Sequence, residues 1–139
     1  MNLRTFAAAL AVSTVFGGIG PVFADTPAGL LQSYQQQAKA DNSAFTGFNA
    51  ARGQQFFNNK HGNDWSCSSC HTANPKQAGK HEVTGRTIQP MAPSANPQRF
   101  IDLAKAEKWF RRNCNDVVGR ACTAAEKADV LSWLMTLKP

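Results

Sequence analysis

Apolar residues recur at the three- and four-residue spacing of an α-helix in four stretches of the chain. They predict helices over residues 26–39, 44–59, 97–112 and 123–137. The segment 71–96 is rich in proline, glycine, threonine and lysine, and it predicts a loop. No stretch alternates apolar and polar residues as a half-buried strand does, so the predicted fold class is all-α. The apolar positions that support the four helices are Leu30, Leu31, Tyr34 and Ala38; Phe45, Phe48, Phe56 and Phe57; Phe100, Leu103, Ala104 and Trp109; and Val130, Leu131, Trp133, Leu134 and Leu137.

Capping residues support the predicted starts of three of these helices. Thr26 is a suitable N-cap, and Pro27 suits the first helical position, where no backbone N–H is needed. Pro97 opens the third helix in the same way. Thr123 and Glu126 have the spacing of a capping box at the start of the last helix.

The first 24 residues have the pattern of a secretory signal peptide. Arg4 provides a basic start, an apolar run follows over residues 6–15, and Ala24 is a small residue suited to cleavage before Asp25. The apolar run is too short for a membrane-spanning helix. We therefore expect an exported, periplasmic protein that is cleaved after Ala24.

The remaining residues, 25–139, have the length of one small domain, and no linker or internal repeat divides them. Cleavage removes only Arg4 among the charged residues, so the formal net charge falls from +6 to +5. The positive charges are spread along the chain rather than gathered into runs, which argues against a nucleic-acid role. The surplus favours instead an acidic protein partner, with attraction that salt would screen.

Residues 67–71 read Cys-Ser-Ser-Cys-His, the attachment pattern of c-type haem. In this pattern Cys67 and Cys70 form the thioether bonds to one porphyrin, and His71 binds the iron from the proximal side. A covalent haem would supply much of the core that so small a domain lacks. We therefore predict one covalently bound haem c, and its attachment outside the cytoplasm agrees with the export signal.

Two other chemistries use closely spaced cysteines. A zinc site needs two further ligands, and the nearest candidates, His61 and His81, do not form a recognised pair. A thioredoxin-like site needs a βαβ context, which the pattern of the chain does not contain. Both histidines lie in polar segments, where we expect them to be exposed, although either could bind iron.

Around this motif the chain resembles class I cytochrome c. That fold crosses an N-terminal and a C-terminal helix at a glycine, and Gly53 and Phe57 stand before Cys67 as that family's glycine and aromatic do. Trp133 would be the aromatic partner on the last helix. The absence of a Cβ at Gly53 would let the two backbones approach closely, although an ordinary tolerated helix glycine would look the same in the sequence.

The sixth iron ligand separates two functions. Met91, in a proline-stiffened loop, would close the site in both oxidation states and make the protein a low-spin electron carrier. Met91 could equally be a core methionine that fills a gap.

A second pair of cysteines, Cys114 and Cys122, is left over after haem attachment. An oxidising compartment favours a disulfide between them, and closing so short a loop would contribute about 2–3 kcal/mol of stability. Stabilisation could be the only role of this bond.

Most of the chain after residue 67 resembles a small group of c-type cytochromes, the cytochrome c''/SHP family. SHP is the oxygen-binding member, with an asparagine haem ligand just before the first loop cysteine, whereas cytochrome c'' has a histidine there. This chain has Asn113 at that position, so the resemblance favours the SHP branch. The matching segments are Ser69 to Thr72, Thr84-Gly85, Ile88 to Ser94, Asn96 to Phe100, Glu107 to Trp109, Arg112 to Asn115, Gly119-Arg120 and Thr123 to Asp129.

The resemblance implies electron transfer with redox-gated gas binding. Asn113 would hold ferric iron and leave on reduction, which opens the site to oxygen, nitric oxide or carbon monoxide. Nearby Trp109, Arg111, Arg112 and Asn115 could shape that side of the haem. The resemblance also implies a dihaem cytochrome c and a membrane cytochrome b as electron donors.

We expect a monomer. The sequence favours a haem protein for electron transfer and oxygen binding over an enzyme; reduction of oxygen or nitric oxide is the enzymatic alternative, for which the sequence shows no dedicated proton donor. The alternatives are the low-spin carrier with Met91 and, from another class, a haem-free disulfide protein that acts as a binding module.

Overall fold

The computed structural model describes residues 25–139, which form five helices and a small antiparallel hairpin. The architecture is all-α, as the sequence predicts. The predicted signal peptide, residues 1–24, lies outside the described residues. The elements are α1 (Pro27–Asp41), α2 (Ala50–Asn58), α3 (Cys67–His71), β1 (Gly79–Lys80), β2 (Thr87–Ile88), α4 (Leu103–Val118) and α5 (Ala124–Thr136).

The first and last helices follow the predictions closely, because their capping residues act as expected. Thr26 Oγ1 accepts a hydrogen bond from the backbone N–H of Gly29 at 3.0 Å. At the start of α5, Thr123 Oγ1 accepts from the N–H of Glu126 at 3.2 Å, and the Glu126 carboxylate accepts from the N–H of Thr123 at 2.8 Å. The capping box predicted from the sequence is confirmed.

The second helix is shorter than predicted. Residues 44–49 have no helical structure, and α2 begins only after Asn49, whose side chain accepts from the N–H of Arg52 at 3.0 Å. An asparagine cap favours helix initiation at that point rather than six residues earlier. The apolar residues Phe45 and Phe48 therefore precede the helix.

The predicted third helix, 97–112, is displaced towards the C-terminus. Residues 97–100 form turns, and Phe100 has a positive φ of 59°, which a right-handed helix cannot accommodate. Asp102 then caps α4 by accepting from the N–H of Lys105 at 2.8 Å. Because α4 runs on to Val118, Asn113 lies inside a helix rather than after its end.

Two small features within and beside the predicted loop were not predicted. Helix α3 coincides with the Cys-Ser-Ser-Cys-His motif. Strands β1 and β2 pair in antiparallel register, with Gly79 opposite Ile88 and Lys80 opposite Thr87. Elements of two and five residues are too short to leave a periodic signal in the sequence.

Helix α5 is the centre of the fold, and α1 and α2 both pack against it. At the α2–α5 crossing, a Cβ added to Gly53 would overlap the carbonyl of Asp129 and come within 2.8 Å of the N of Val130. One turn further on, the rings of Phe57 and Trp133 meet with centroids 5.0 Å apart. The predicted glycine-mediated crossing and its aromatic pair are confirmed.

A buried carboxylate locks the same crossing. Asp129 is only 7 % exposed, and its oxygens accept hydrogen bonds from the N–H of Asn49 and from the guanidinium of Arg52 at 2.8 and 3.0 Å. A buried carboxylate is tolerated when it is paired and hydrogen-bonded in this way. The start of α2 is thereby fixed to the middle of α5.

Two apolar clusters flank α5. The α1 side of α5 packs with α1 and α4, and Phe100 bridges this cluster and the α2-side cluster. No helix within residues 25–139 has both the length and the apolar character needed to cross a membrane. The α1-side cluster consists of Leu30, Leu31, Tyr34, Ala106, Ala128 and Leu131, and the α2-side cluster of Phe57, Val130, Trp133 and Leu134.

Replacing Gly53 with alanine tests the crossing by the sign of its effect. Helix propensity alone predicts that G53A stabilises α2 by about 1 kcal/mol. The backbone contact predicts instead that it destabilises the protein by about 1–3 kcal/mol, because the added methyl group has no space. Urea denaturation followed by circular dichroism measures the difference.

Gln54→Ala, an exposed neighbour on the same helix, is the matched control and should change the free energy of unfolding by less than about 0.5 kcal/mol. A G53A protein as stable as the wild type would contradict the close crossing.

Candidate haem site

The Cys-Ser-Ser-Cys-His motif forms one short, capped helix. Ser66 is its N-cap and exchanges reciprocal hydrogen bonds with Ser69, at 3.0 and 3.1 Å. Cys67 and Cys70 are three residues apart and therefore lie on the same side of α3, and they are not bonded to each other. His71 ends the helix.

The imidazole of His71 lies in apolar surroundings. Its ring centroid is 6.2 Å from that of Phe57. Burial, assisted by the positive charge of Arg99, lowers the pKa of His71 to about 4. The ring is consequently neutral at physiological pH, which is the form that binds a metal ion.

Cys67 faces the core. It packs against the cluster that contains Phe57 and Trp133. Burial raises the pKa of the Cys67 thiol to about 11, so the sulfur is an uncharged thiol at neutral pH. The helix crossing at Gly53 therefore supplies the apolar wall next to the motif.

The loop after His71 folds back tightly over α3. A Cβ at Gly79 would overlap the carbonyl of Cys70 and lie 3.0 Å from the Cα of His71. The carbonyl of Pro75 accepts hydrogen bonds from the N–H groups of Met91 at 2.8 Å and of Ala92 at 3.0 Å. The predicted loop is thus anchored at both of its ends beside the motif.

Arg99 is the main site residue to which sequence reasoning assigned no role. Its guanidinium is half-buried and donates to the carbonyls of Pro90 at 3.0 Å and Gln89 at 2.8 Å. Within residues 25–139 it forms no ion pair with a carboxylate. Burial lowers the pKa of Arg99 below its ordinary value. A single arginine in a proline-rich loop leaves no pattern by which the sequence could identify it.

Met91 is part of the α2-side core. Its partly buried side chain packs against the same cluster as Cys67, and its backbone N–H is committed to Pro75. These contacts are those of a methionine that fills a gap in a core.

Asn113 lies in the second half of α4 and is half-buried. Its carboxamide takes no part in the side-chain hydrogen bonds of residues 25–139, including those at the end of its own helix. The adjacent Cys114 is bonded to Cys122, with a Cα–Cα distance of 5.7 Å, so the predicted disulfide is confirmed.

Helix α3 packs against α2 and β1. The segment 61–66 links the motif to the end of α4.

The two other histidines are less exposed than predicted, since both are half-buried. The Nε2 of His61 lies 2.7 Å from the carbonyl oxygen of Phe56. The Nδ1 of His81 accepts from the N–H groups of Val83 and Thr84 at 3.3 Å. One ring nitrogen of each histidine is therefore engaged with the backbone.

The donor set of the motif fits haem c better than zinc. Two unpaired thiols share one side of α3, and a neutral imidazole follows them in an apolar setting. Within the described part of the chain, no three His, Cys, Asp or Glu side chains gather as metal ligands. A single imidazole with two thiols beside an apolar wall suits a porphyrin that carries its own four nitrogen ligands.

Comparisons with known proteins also relate this chain to c-type haem proteins. A family profile described as "Domain of unknown function (DUF1924)" matches residues 43–134. "Cytochrome c-type protein SHP" of Cereibacter sphaeroides is 41 % identical over 129 residues, which cover 90 % of this chain and 95 % of that protein. "Cytochrome c''" of Methylophilus methylotrophus is 39 % identical over 111 residues, 77 % of each protein.

Solved structures of the same two proteins share the fold. Oxidised SHP, described as an oxygen-binding cytochrome c, matches with a TM-score of 0.72 at 41 % identity and covers 82 % of this chain and 99 % of its own. The solution structure of cytochrome c'', described as giving insight into haem-ligand detachment, matches with a TM-score of 0.71 at 37 % identity and covers 81 % and 94 %.

The helical fold, the Cys-Ser-Ser-Cys-His helix and these relatives define a c-type cytochrome, whose cofactor is haem c. Within that class, the chain belongs to the cytochrome c''/SHP family.

Proposed function

We propose that this protein is an exported, monohaem c-type cytochrome that combines electron transfer with redox-gated binding of a diatomic gas. Cys67 and Cys70 hold the haem through thioether bonds, and His71 is the proximal ligand. Asn113 is the sixth ligand of the oxidised protein. It leaves on reduction, and the position becomes open to oxygen or nitric oxide.

The gating follows from the chemistry of the asparagine side chain. A bound haem would supply an iron centre that can take up one electron from a donor protein. A carboxamide oxygen is a neutral, hard ligand, which suits the ferric ion better than the softer ferrous ion. The neutral side chain of Asn113 therefore departs without a change in its own charge.

The observation that carries this proposal is the placement of Asn113. Its carboxamide has no hydrogen-bond partner in the described part of the chain, and it sits on a helix next to a disulfide. The polar atoms of this amide are not among the buried ones, so the side chain can accept a metal ion or water as its partner. The disulfide limits the travel of the backbone, so the side chain stays close enough to rebind on oxidation.

The names of the two relatives support the same function. SHP is described as an oxygen-binding cytochrome c, and cytochrome c'' is described in connection with haem-ligand detachment. Ligand release and gas binding are the two halves of the proposed cycle.

The contacts of Met91 argue against the alternative, a low-spin electron carrier with His71 and Met91 as ligands. Met91 packs in the α2-side core with Cys67, and its amide is bonded to Pro75. To act as a ligand, its sulfur would have to exchange these core contacts for the iron.

Export to the periplasm rests on residues 1–24 and agrees with the second cysteine pair. Disulfides persist in oxidising compartments and are rare in the cytoplasm. The bond between Cys114 and Cys122 is therefore consistent with the periplasm, where haem is attached to c-type cytochromes.

We also propose that α4 carries the docking surface for an acidic electron-donor protein. The family resemblance implies a dihaem cytochrome c and a membrane cytochrome b as electron donors. Four exposed cations on α4 form no ion pair within residues 25–139. Trp109 is 44 % exposed among them, with the guanidinium carbon of Arg112 5.9 Å from its ring centroid. We call Lys105, Lys108, Trp109, Arg111 and Arg112 the basic α4 surface.

The location of the basic α4 surface suits electron entry. It lies on the helix of Asn113, so a partner bound there would contact the element that holds the proposed sixth ligand. Rows of like charge steer an oppositely charged partner and raise the association rate at low salt. The formal charge of +5 after cleavage acts in the same direction.

Replacing Asn113 with alanine tests the sixth ligand directly. If Asn113 occupies the ferric iron about nine-tenths of the time, its removal raises the apparent affinity for added azide about tenfold. The ferric absorption spectrum should also change, because the amide oxygen no longer binds the iron. Azide titration of the oxidised protein measures both effects.

Asn115→Ala, an exposed position two residues further along α4, should leave the azide affinity and the spectrum unchanged. An N113A protein with the wild-type ferric spectrum would contradict the assignment, and a changed spectrum in Met91→Ala would then favour the alternative ligand.

Neutralising Lys108 and Arg111 to glutamine tests the basic α4 surface. Oxidation of the reduced, oxygen-free protein by the anionic reagent hexacyanoferrate(III) should slow roughly threefold at low salt, because local attraction is lost. The rate with the cationic reagent tris(phenanthroline)cobalt(III) should not fall. Stopped-flow absorption measures both rates.

The double variant Lys39→Gln and Lys60→Gln removes the same charge from exposed positions outside α4 and is the control. Equal slowing in both variants would show that net charge alone acts, and would contradict a localised docking surface.

A further inference from the structure

The end of the helix that carries Asn113 is capped by a distant segment of the chain. Helix α4 stops at Val118, and Gly119 follows with a left-handed φ of 76°. The last four carbonyl groups of a helix have no partner within it and must be satisfied from elsewhere. Here those groups belong to residues 115–118.

Asn63 donates three hydrogen bonds to these carbonyl groups. Its Nδ2 donates to the carbonyls of Asp116 at 2.8 Å and Asn115 at 3.4 Å. Its backbone N–H donates to the carbonyl of Val117 at 3.4 Å. One residue earlier, the absence of a side chain at Gly62 lets the backbone reach Val118, whose carbonyl oxygen would lie 3.0 Å from an added Cβ.

The turn that presents Asn63 is itself held in place. The N–H of His61 donates to the carbonyl of Trp65 at 2.9 Å, and the N–H of Asp64 donates to the carbonyl of His61 at 2.9 Å. The imidazole of His61 contacts the ring of Phe56 in a tilted arrangement, with ring centroids 4.4 Å apart. The cap is therefore a fixed turn attached to the end of α2 rather than a single side chain.

This cap joins the two segments that carry the proposed haem ligands. Asn63 precedes the first thioether cysteine, Cys67, by four residues, and it holds carbonyls that follow Asn113 by two to four residues. The disulfide from Cys114 holds the same turn of α4 from the other direction. The distance between the motif and Asn113 thus depends on Asn63.

We infer that Asn63 is a positioning residue, which sets the reach of the Asn113 carboxamide to the haem iron by clamping the last turn of α4 to the segment before Cys67. The inference rests on the proposed function. A weaker clamp lets the end of α4 fray, and Asn113 then spends less time on the ferric iron. A helix cap with a purely structural role would lower stability without changing this occupancy.

The competition between Asn113 and azide in the oxidised protein distinguishes these two roles. In Asn63→Ala the apparent affinity for azide should rise about fivefold, as the loss of one net hydrogen bond from the Asn113-bound state predicts. Amide hydrogen exchange at Val117 and Val118 should also become faster. Asn63→Asp, which keeps the size but loses the Nδ2 donor, should act in the same direction and serves if N63A does not fold.

Asn58 offers a matched control, because its Nδ2 donates to the carbonyl of Gln54 at 2.9 Å near the end of α2. Asn58→Ala removes a comparable side-chain bond to a helix carbonyl and should not alter azide binding. An increase of the same size in N58A would contradict a specific role for Asn63.

A double-mutant cycle separates failure of the inference from failure of the proposed function. With Asn113 already replaced by alanine, adding N63A should produce no further change in azide affinity. A further fivefold rise there, or an unchanged affinity in N63A alone, would overturn the positioning role while leaving Asn113 as the ligand. An N113A protein without any effect would overturn the proposed function and this inference together.

Discussion

The backbone contact between α2 and α5 at Gly53 is the constraint on which the remaining structure depends. Because no side chain intervenes, the carbonyl of Asp129 lies directly against α2. That approach brings Phe57 and Trp133 into contact, and their cluster forms the apolar wall beside Cys67 and His71. Burial behind this wall keeps His71 neutral, and a neutral imidazole is what iron coordination requires.

The proposed Asn113 side of the site is held together by different interactions. Helix α4 joins the core through Ala106 and Phe110, whose ring meets that of Tyr34 edge-on at 5.8 Å. Its opposite face is exposed and basic. The end of α4 is held by the disulfide and by Asn63, in addition to the buried side chain of Val117. A strong ligand on a rigid apolar side and a weak ligand on a polar, tethered side are suited to release of only the weak one.

The sequence predicted the elements that have strong local signals. Thr26 and the Thr123–Glu126 box marked the starts of α1 and α5, and Gly53, Phe57 and Trp133 were recognised through the resemblance. The cysteine pair 114–122 followed from counting thiols. These features depend on neighbouring residues or on a spacing that has few other uses.

Other features depend on contacts between distant residues and could not be read from the sequence. The positive φ of Phe100 moved the start of α4, because burial of that ring between two clusters outweighs helix propensity. Asn63 binds backbone carbonyls about fifty residues further along the chain, and Arg99 binds carbonyls nine and ten residues before it; such bonds need no particular local pattern. The boundaries of α4 mattered most, since they place Asn113 within a helix.

Carbon monoxide binding by the dithionite-reduced, oxygen-free protein tests the central claim most directly. If Asn113 leaves the iron on reduction, the ferrous spectrum is that of five-coordinate haem, and carbon monoxide binds rapidly in proportion to its concentration. A ferrous spectrum that stays six-coordinate and does not change on addition of carbon monoxide would contradict redox-gated release.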